Sequence, residues 1–214
     1  MIFDLDGVIV DSEIWWDEVR RDWARARGRS WSEADRAAVM GANSAQWART
    51  MQRRMNVADP VDAIEAAIVD GVVERFRADG APRIDGAVEA VRRVAARLPV
   101  AVASSAHRAV IDVALEATGL DDVFGVVVSS DEVHEGKPAP DVYLLAAERL
   151  GVRPGRCLVI EDSLNGVRAA RAAGMTVALV PNQSVPPAPG ARDEADVVID
   201  RLADLDLVGL APAR

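Results

Sequence analysis

Two carboxylates, Asp4 and Asp6, stand two residues apart at the end of a short apolar run, and Gly7 follows them directly. The run Ile2-Phe3 reads as the end of a buried strand, and the glycine as the turn that breaks it. Two acids held this close cannot both ionise cheaply unless a cation balances them or one keeps a proton. A hard metal ion beside a nucleophile and an acid/base group meets that requirement. A plain strand end closed by soluble turn residues would give the same heptapeptide, so the decision falls to the rest of the chain.

Three further polar groups sit at comparable places. Ser104 and Ser105 follow the apolar run Val100–Ala103, and Glu161 and Asp162 follow Cys157–Ile160. Lys137 lies in the loop Glu135-Gly-Lys-Pro-Ala-Pro140 and is the only lysine among the chain's 25 Lys and Arg. Arginine is a wide planar fork, whereas lysine is a compact point charge that fits beside a phosphoryl oxygen. Singly, each group has an ordinary use: a serine caps a helix, an acid pair offsets a helix dipole, and a lysine before proline is solvated. Together they supply two metal ligands, a nucleophile, a hydroxyl and a cation, which is the equipment of phosphoryl transfer.

The elements that must position these groups follow from hydrophobic period. After Pro82 the chain alternates helices with short continuous apolar runs: Val100–Ala103, Val126–Val128, Cys157–Ile160, Val177–Val180 and Val197–Ile199. Such runs predict a parallel sheet covered on both faces, hence an α/β doubly wound, mostly parallel fold. Ligands of such sheets bind outside the carboxyl ends of the strands, where all four groups fall. Between Ile14 and Arg77 the pattern is helical throughout. Ser12 reads as the first N-cap, Ser32 as the second, Asn43 or Ser44 as the third, and Pro60 opens a fourth helix running to Phe76. All five tryptophans lie in this part, and residues 14–82 carry eleven Arg against eleven Asp or Glu, so the net charge of −9 belongs to the remainder. This shift in composition divides the chain into a core, residues 1–13 and 83–214, and a helical cap, residues 14–82.

The negative charge argues against nucleic acid as a partner. No apolar run approaches the length of a membrane span, and no signal peptide is expected because the N-terminus runs straight into the strand. One cysteine, Cys157, excludes an internal disulfide, and the cytoplasm is the default location; monomer is the default state.

The segments Asp4-Leu-Asp-Gly-Val-Ile-Val-Asp-Ser-Glu13, Ser104, Gly136-Lys-Pro-Ala-Pro-Asp141 and Glu161-Asp-Ser-Leu-Asn-Gly166 resemble, in order, the four motifs of the haloacid dehalogenase superfamily. The likeness is to the branch with a helical cap after the first motif, which includes phosphoglycolate phosphatase-like enzymes, sugar-phosphate phosphatases and β-phosphoglucomutase. The resemblance implies an Asp4 nucleophile and an Asp6 acid/base. It also implies Mg²⁺ held by Asp4, Asp162 and the Asp6 carbonyl with help from Glu161, and a phosphoryl grip by Ser104, Ser105 and Lys137. Asn165 and His107 stand in second rank. The implied activity is hydrolysis of a small phosphorylated metabolite, with a hexose-phosphate mutase as the alternative. Against the mutase, Trp16 stands where those relatives carry a cap histidine, and the cap has no lysine. Dehalogenating relatives lack an acid corresponding to Asp6. A phospho-accepting receiver would be smaller, without a helical insert, and a non-catalytic module would not keep every reactive group. The expected source of selectivity is the cap, in which no motif is legible.

Overall fold

The computed structural model describes residues 1–205 and shows six parallel strands in the order β3-β2-β1-β4-β5-β6. They are β1 (Ile2–Phe3), β2 (Ala101–Ser104), β3 (Val126–Ser129), β4 (Leu158–Glu161), β5 (Thr176–Leu179) and β6 (Val197–Val198). β1 is only two residues long, yet it lies at the centre of the sheet. Ile2 pairs with Ala101 on one side and Val159 on the other, and Phe3 with Val102 and Ile160. Both edges of β1 are therefore spent on backbone pairing, and its two side chains go to opposite faces. Phe3 joins a buried cluster with α5 (Ala87–Ala95) and α6 (Arg108–Thr118), and Ile2 joins another with α7 (Asp141–Leu150) and α8 (Leu164–Ala172). A strand dry on every side reads as continuous hydrophobic sequence, which is why these runs were legible.

Strand limits differ from the apolar runs in one instructive way. β2 ends on Ser104 and β4 on Glu161, because the ladder is built from backbone: Ser104 still pairs with Ser129, and Glu161 with Leu179. The polar residues thus ride on the last rigid position of a strand, not on the loop after it.

Between β1 and β2 lie α1 (Glu13–Arg25), α2 (Glu33–Ala37), α3 (Ser44–Met55) and α4 (Val61–Asp79). Ser32 and Asn43 close capping boxes with Asp35 and Gln46, as their positions predict. Ser12 does not cap α1: its backbone is helical, at φ −87° and ψ −6°, where a capping residue is extended, and its hydroxyl donates to Asp6. α4 runs three residues past Phe76, to Asp79, and stops at Gly80. The two segments joining this insert to the sheet are tied to each other by an antiparallel Val10–Arg83 bridge and an Asp11 N–H to Pro82 C=O bond of 2.7 Å. α4 packs on α1, α3 and α6, and the insert's apolar residues are continuous with the buried cluster around Phe3 and Val102. Among the described residues no helix is long and apolar enough to cross a membrane.

Candidate active site

The strand order reverses at β1, so the ends of β2 and β4 flank the residues that follow Phe3. Asp4 continues from β1, its N–H bonded to the Ile160 carbonyl at 2.9 Å, and is 6% exposed. Gly7 then turns the chain at φ +82°, and a β-carbon there would lie 2.0 Å from Oδ2 of Asp162, so glycine is required on both counts. This turn folds the following chain back, and Ser12 meets Asp6.

Lys137 reaches in from the loop before α7 and is the hub of the cluster. Its Nζ donates to Asp4 Oδ1 at 2.5 Å, Glu161 Oε1 at 2.7 Å and the Ala103 carbonyl at 3.2 Å. All three ammonium hydrogens are thereby used. Glu161 is equally committed. Oε1 also accepts from the Tyr143 hydroxyl at 2.7 Å, while Oε2 accepts from the Asp162 and Ser163 amides and the Ser163 hydroxyl at 2.9 Å each. Gly166 leaves the room for this, since a β-carbon there would lie 1.7 Å from Glu161 Oε1.

Asp4, Glu161 and Asp162 each offer an oxygen, and these atoms lie within 4.8 Å of one another. One ammonium faces these three carboxylates and Asp6, so the cluster carries more negative charge than it can balance. Burial, then Glu161 and Asp6, push Asp4 well above the ordinary aspartate value despite Lys137. Burial, then Glu161 and Asp4, do the same to Asp162. Burial also acts upward on Glu161, but Lys137, Tyr143 and Ser163 outweigh it and hold this carboxyl below its usual range. Lys137 loses by burial and gains more from Asp4 and Glu161, so it stays charged, well above lysine's usual value. An all-oxygen donor set with uncompensated charge suits a small hard divalent cation.

Asp6 lies on the other side of Asp4. Ser12 donates to its Oδ1, and Ser104 Oγ contacts Oδ2 at 3.4 Å while accepting the Ala106 amide at 3.0 Å. Burial raises Asp6 above its ordinary value, and the Ser12, Trp16 and Ser104 donors offset part of that. Such a carboxyl can hold a proton and later take one. The Ser105 hydroxyl points away to the Gly41 carbonyl at 3.3 Å, leaving its backbone amide as the group able to meet an anion. His107 caps α6 through Nδ1, and Asn165 sits against Gly41 in the first turn of α8; neither joins the carboxylate cluster.

Above Asp6 a cavity of about 50 Å³ is walled by Glu13, Trp16, Arg20, Trp47 and Ser105, among others. The sequence reading missed Ser12, Tyr143, Ser163, Glu13 and Arg20. Tyr143 and Ser163 gave no signal, since a helical tyrosine and a capping serine are unremarkable until Glu161 lands beside them. Arg20 did leave one: it sits four residues after Trp16 and three before Trp23, a charge on the apolar stripe of α1.

Against known proteins, a family model described as haloacid dehalogenase-like hydrolase matches residues 1–174. The chain is 33% identical over 216 residues to the bifunctional riboflavin kinase/FMN phosphatase of Arabidopsis thaliana, covering 99% of this chain and 56% of that protein. It is 33% identical over 186 residues to fructose-1-phosphate phosphatase YqaB of Escherichia coli (strain K12), covering 82% of this chain and 92% of that one. A structure of a variant CbbY from Rhodobacter sphaeroides in complex with xylulose-(1,5)bisphosphate superposes with a TM-score of 0.83 at 25% identity, over 98% of this chain and 97% of that one. The chain belongs to the haloacid dehalogenase-like hydrolases, in the branch that holds phosphatases.

Proposed function

We propose that the chain is a Mg²⁺-dependent phosphatase that hydrolyses a small phosphorylated metabolite, a sugar phosphate or a phosphoglycolate-like compound, through an aspartyl-phosphate intermediate. Hydrolysis of phosphoric monoesters comes with the branch; the metal, the intermediate and the substrate are the parts proposed. The observation that carries the reading is the meeting of Asp4, Asp162, Glu161 and Lys137 at the carboxyl ends of β1 and β4, with Asp6 two residues after Asp4.

In this reading the Asp4 and Asp162 carboxylates and the Asp6 carbonyl would hold Mg²⁺. Glu161, whose oxygens already have five donors, would add its charge to the site and fixes Lys137. When bound, the metal supplies the charge that lets a carboxylate approach a phosphate dianion. Asp4 attacks phosphorus, and the bond from phosphorus to the alcohol breaks with its electron pair on the alcohol oxygen. Asp6 gives that oxygen its proton. Asp6, now ionised, takes a proton from water as the water attacks phosphorus. The bond to Asp4 then breaks, freeing phosphate and restoring the carboxylate. Lys137, the Ser104 hydroxyl and the Ser105 amide offset charge on the equatorial oxygens. Trp16, Arg20 and Trp47 of the insert wall the space at Asp6, and the insert would swing outward as a cap to admit substrate.

Sugar phosphates are favoured by the names of the Escherichia coli phosphatase and the ligand of the CbbY structure. The mutase alternative finds no support in the cavity, where Trp16 is the wall beside Asp6. The test is phosphate release from para-nitrophenyl phosphate and a metabolite panel, with and without Mg²⁺. Turnover should vanish with chelator and in Asp4→Asn, whose amide can neither attack nor carry the metal's counter-charge. Full turnover in excess chelator would remove the metal, and an Asp4→Asn variant within about tenfold of the parent would remove the nucleophile.

A further inference from the structure

Arg20, on α1, is a buried cation without a partner. It is 6% exposed, its Nε is buried with no hydrogen-bond acceptor, and among the described residues its guanidinium makes no ion pair. The group stands over two indoles, 5.0 Å from the Trp16 ring centre and 5.3 Å from that of Trp47. These rings, set edge to face at 6.3 Å, hold the guanidinium in place at the wall of the cavity that also contains Asp6 and Ser105. Burial lowers Arg20 to about 10, with Glu13, Asp17 and Asp6 acting the other way, so it remains cationic at neutral pH. None of the three bonds to it. Asp17 is taken by Arg21 and by the Trp31 Nε1–H at 2.8 Å, Asp6 by Ser12 and Ser104, and Glu13, on the same cavity wall, makes no ion pair with Arg20.

A buried guanidinium with unused donors is costly unless something else completes it. Its five N–H groups form a fork that fits two oxygens of a carboxylate or phosphate, and stacking on indole keeps that fork flat and oriented. Lys137 does not take this part, because Asp4 and Glu161 hold it beside the place of the reacting phosphoryl group. Nor can the Trp rings, which offer an anion no charge.

We propose that Arg20 is a specificity-determining residue that binds a second anionic group, a carboxylate or a second phosphate, on the substrate whose reacting phosphoryl group meets Asp4. The inference rests on the phosphatase reading for its substrate class, but its binding part can be measured without turnover. Trp16 and Trp47 position the guanidinium, and the substrate supplies the acceptors that the protein withholds.

The experiment compares two matched pairs: glucose 1,6-bisphosphate with glucose 1-phosphate, and phosphoglycolate with ethyl phosphate. Binding to the Asp4→Asn protein in Mg²⁺ is measured by calorimetry, and kcat and KM are measured on the parent. In at least one pair the doubly anionic member should bind about tenfold to a hundredfold tighter, the range of a charge-assisted hydrogen bond. That pair also states whether the group is phosphate or carboxylate. Arg20→Gln should erase the preference, through KM more than kcat. Arg20→Lys, which keeps the charge and loses the fork, should recover part of it; it replaces Arg20→Gln if the latter fails to fold, and should then show a reduced preference. The proposal is overturned if neither pair is discriminated by the parent chain, or if Arg20→Gln keeps the preference. Because calorimetry reads Arg20 in a protein that cannot turn over, an absence of phosphatase activity would be a separate result.

Discussion

Replacing Lys137 with methionine removes the one cation buried among the carboxylates while keeping most of the side-chain volume. Asp4 and Glu161 would each lose an ion pair, at 2.5 and 2.7 Å. At an effective dielectric constant of about 20, each pair is worth roughly 6 kcal/mol in Coulomb energy. Relief of the lysine's own desolvation returns several kcal/mol, and breaking a buried pair costs about 3–5 kcal/mol in net terms. Proton uptake limits the damage at Asp4, which is already pushed toward its neutral form. For a chain of this size about 1 kcal/mol moves Tm by 2–4 °C, so a fall of about 6–20 °C is expected. The measurement is guanidinium and thermal unfolding in chelator at neutral pH, where no metal can stand in for the ammonium. Asp4→Asn in the same background should return about half of the loss, since Glu161 keeps Tyr143, Ser163 and the Asp162 amide. A loss under about 1 kcal/mol, the size of an exposed pair, would show that the lysine is solvated and that the cluster is not organised around it. Failure of Asp4→Asn to restore anything would refute the coupling between the two.

Further outcomes follow from the same geometry. Mg²⁺ at a hundred times its Kd should add about 2.7 kcal/mol of stability, or roughly 5–10 °C in Tm. Asp162→Asn should abolish that gain. Because the folded-state value of Asp162 is raised, its ionisation weighs against the metal-free fold as pH climbs above about 4. In chelator the variant should therefore match the parent near pH 4 and exceed it increasingly toward neutrality; a constant difference across pH would contradict the assignment. Gly166→Ala places a methyl group 1.7 Å from Glu161 Oε1 and should cost about 1–3 kcal/mol together with activity, read by denaturation and by phosphate release. Ser12→Ala removes a donor to Asp6 and should lower kcat about tenfold with little change in Tm, the reverse pattern indicating a helix-capping role.

Much of this molecule was readable in its residues. Runs such as Val100–Ala103 and Val126–Val128 announce strands because the middle of a parallel sheet covered on both faces takes mostly apolar side chains. Ser32 and Asn43 announce themselves because an N-cap is satisfied by its own next turn. The polar groups of the candidate site could be placed for a similar reason: Asp4, Ser104, Lys137 and Glu161 follow apolar runs or glycines, so their places along the sheet edge come from chain order. Their pairing did not. Whether Lys137 faces Asp4, Glu161 or water depends on a loop more than a hundred residues from Asp4, and on which strands flank β1. Ser12 shows the limit most clearly. By local rules it caps α1, but its backbone is already helical at φ −87° and ψ −6°, which turns the hydroxyl away from the first amides of the helix, and that hydroxyl donates to the buried Asp6. Arg20 is the converse case, a charge on an apolar stripe that local sequence could only mark as out of place. Tertiary packing alone decided that it lies between two indoles at a cavity wall, because the positions of Trp16 and Trp47 are set by how α1 and α3 meet.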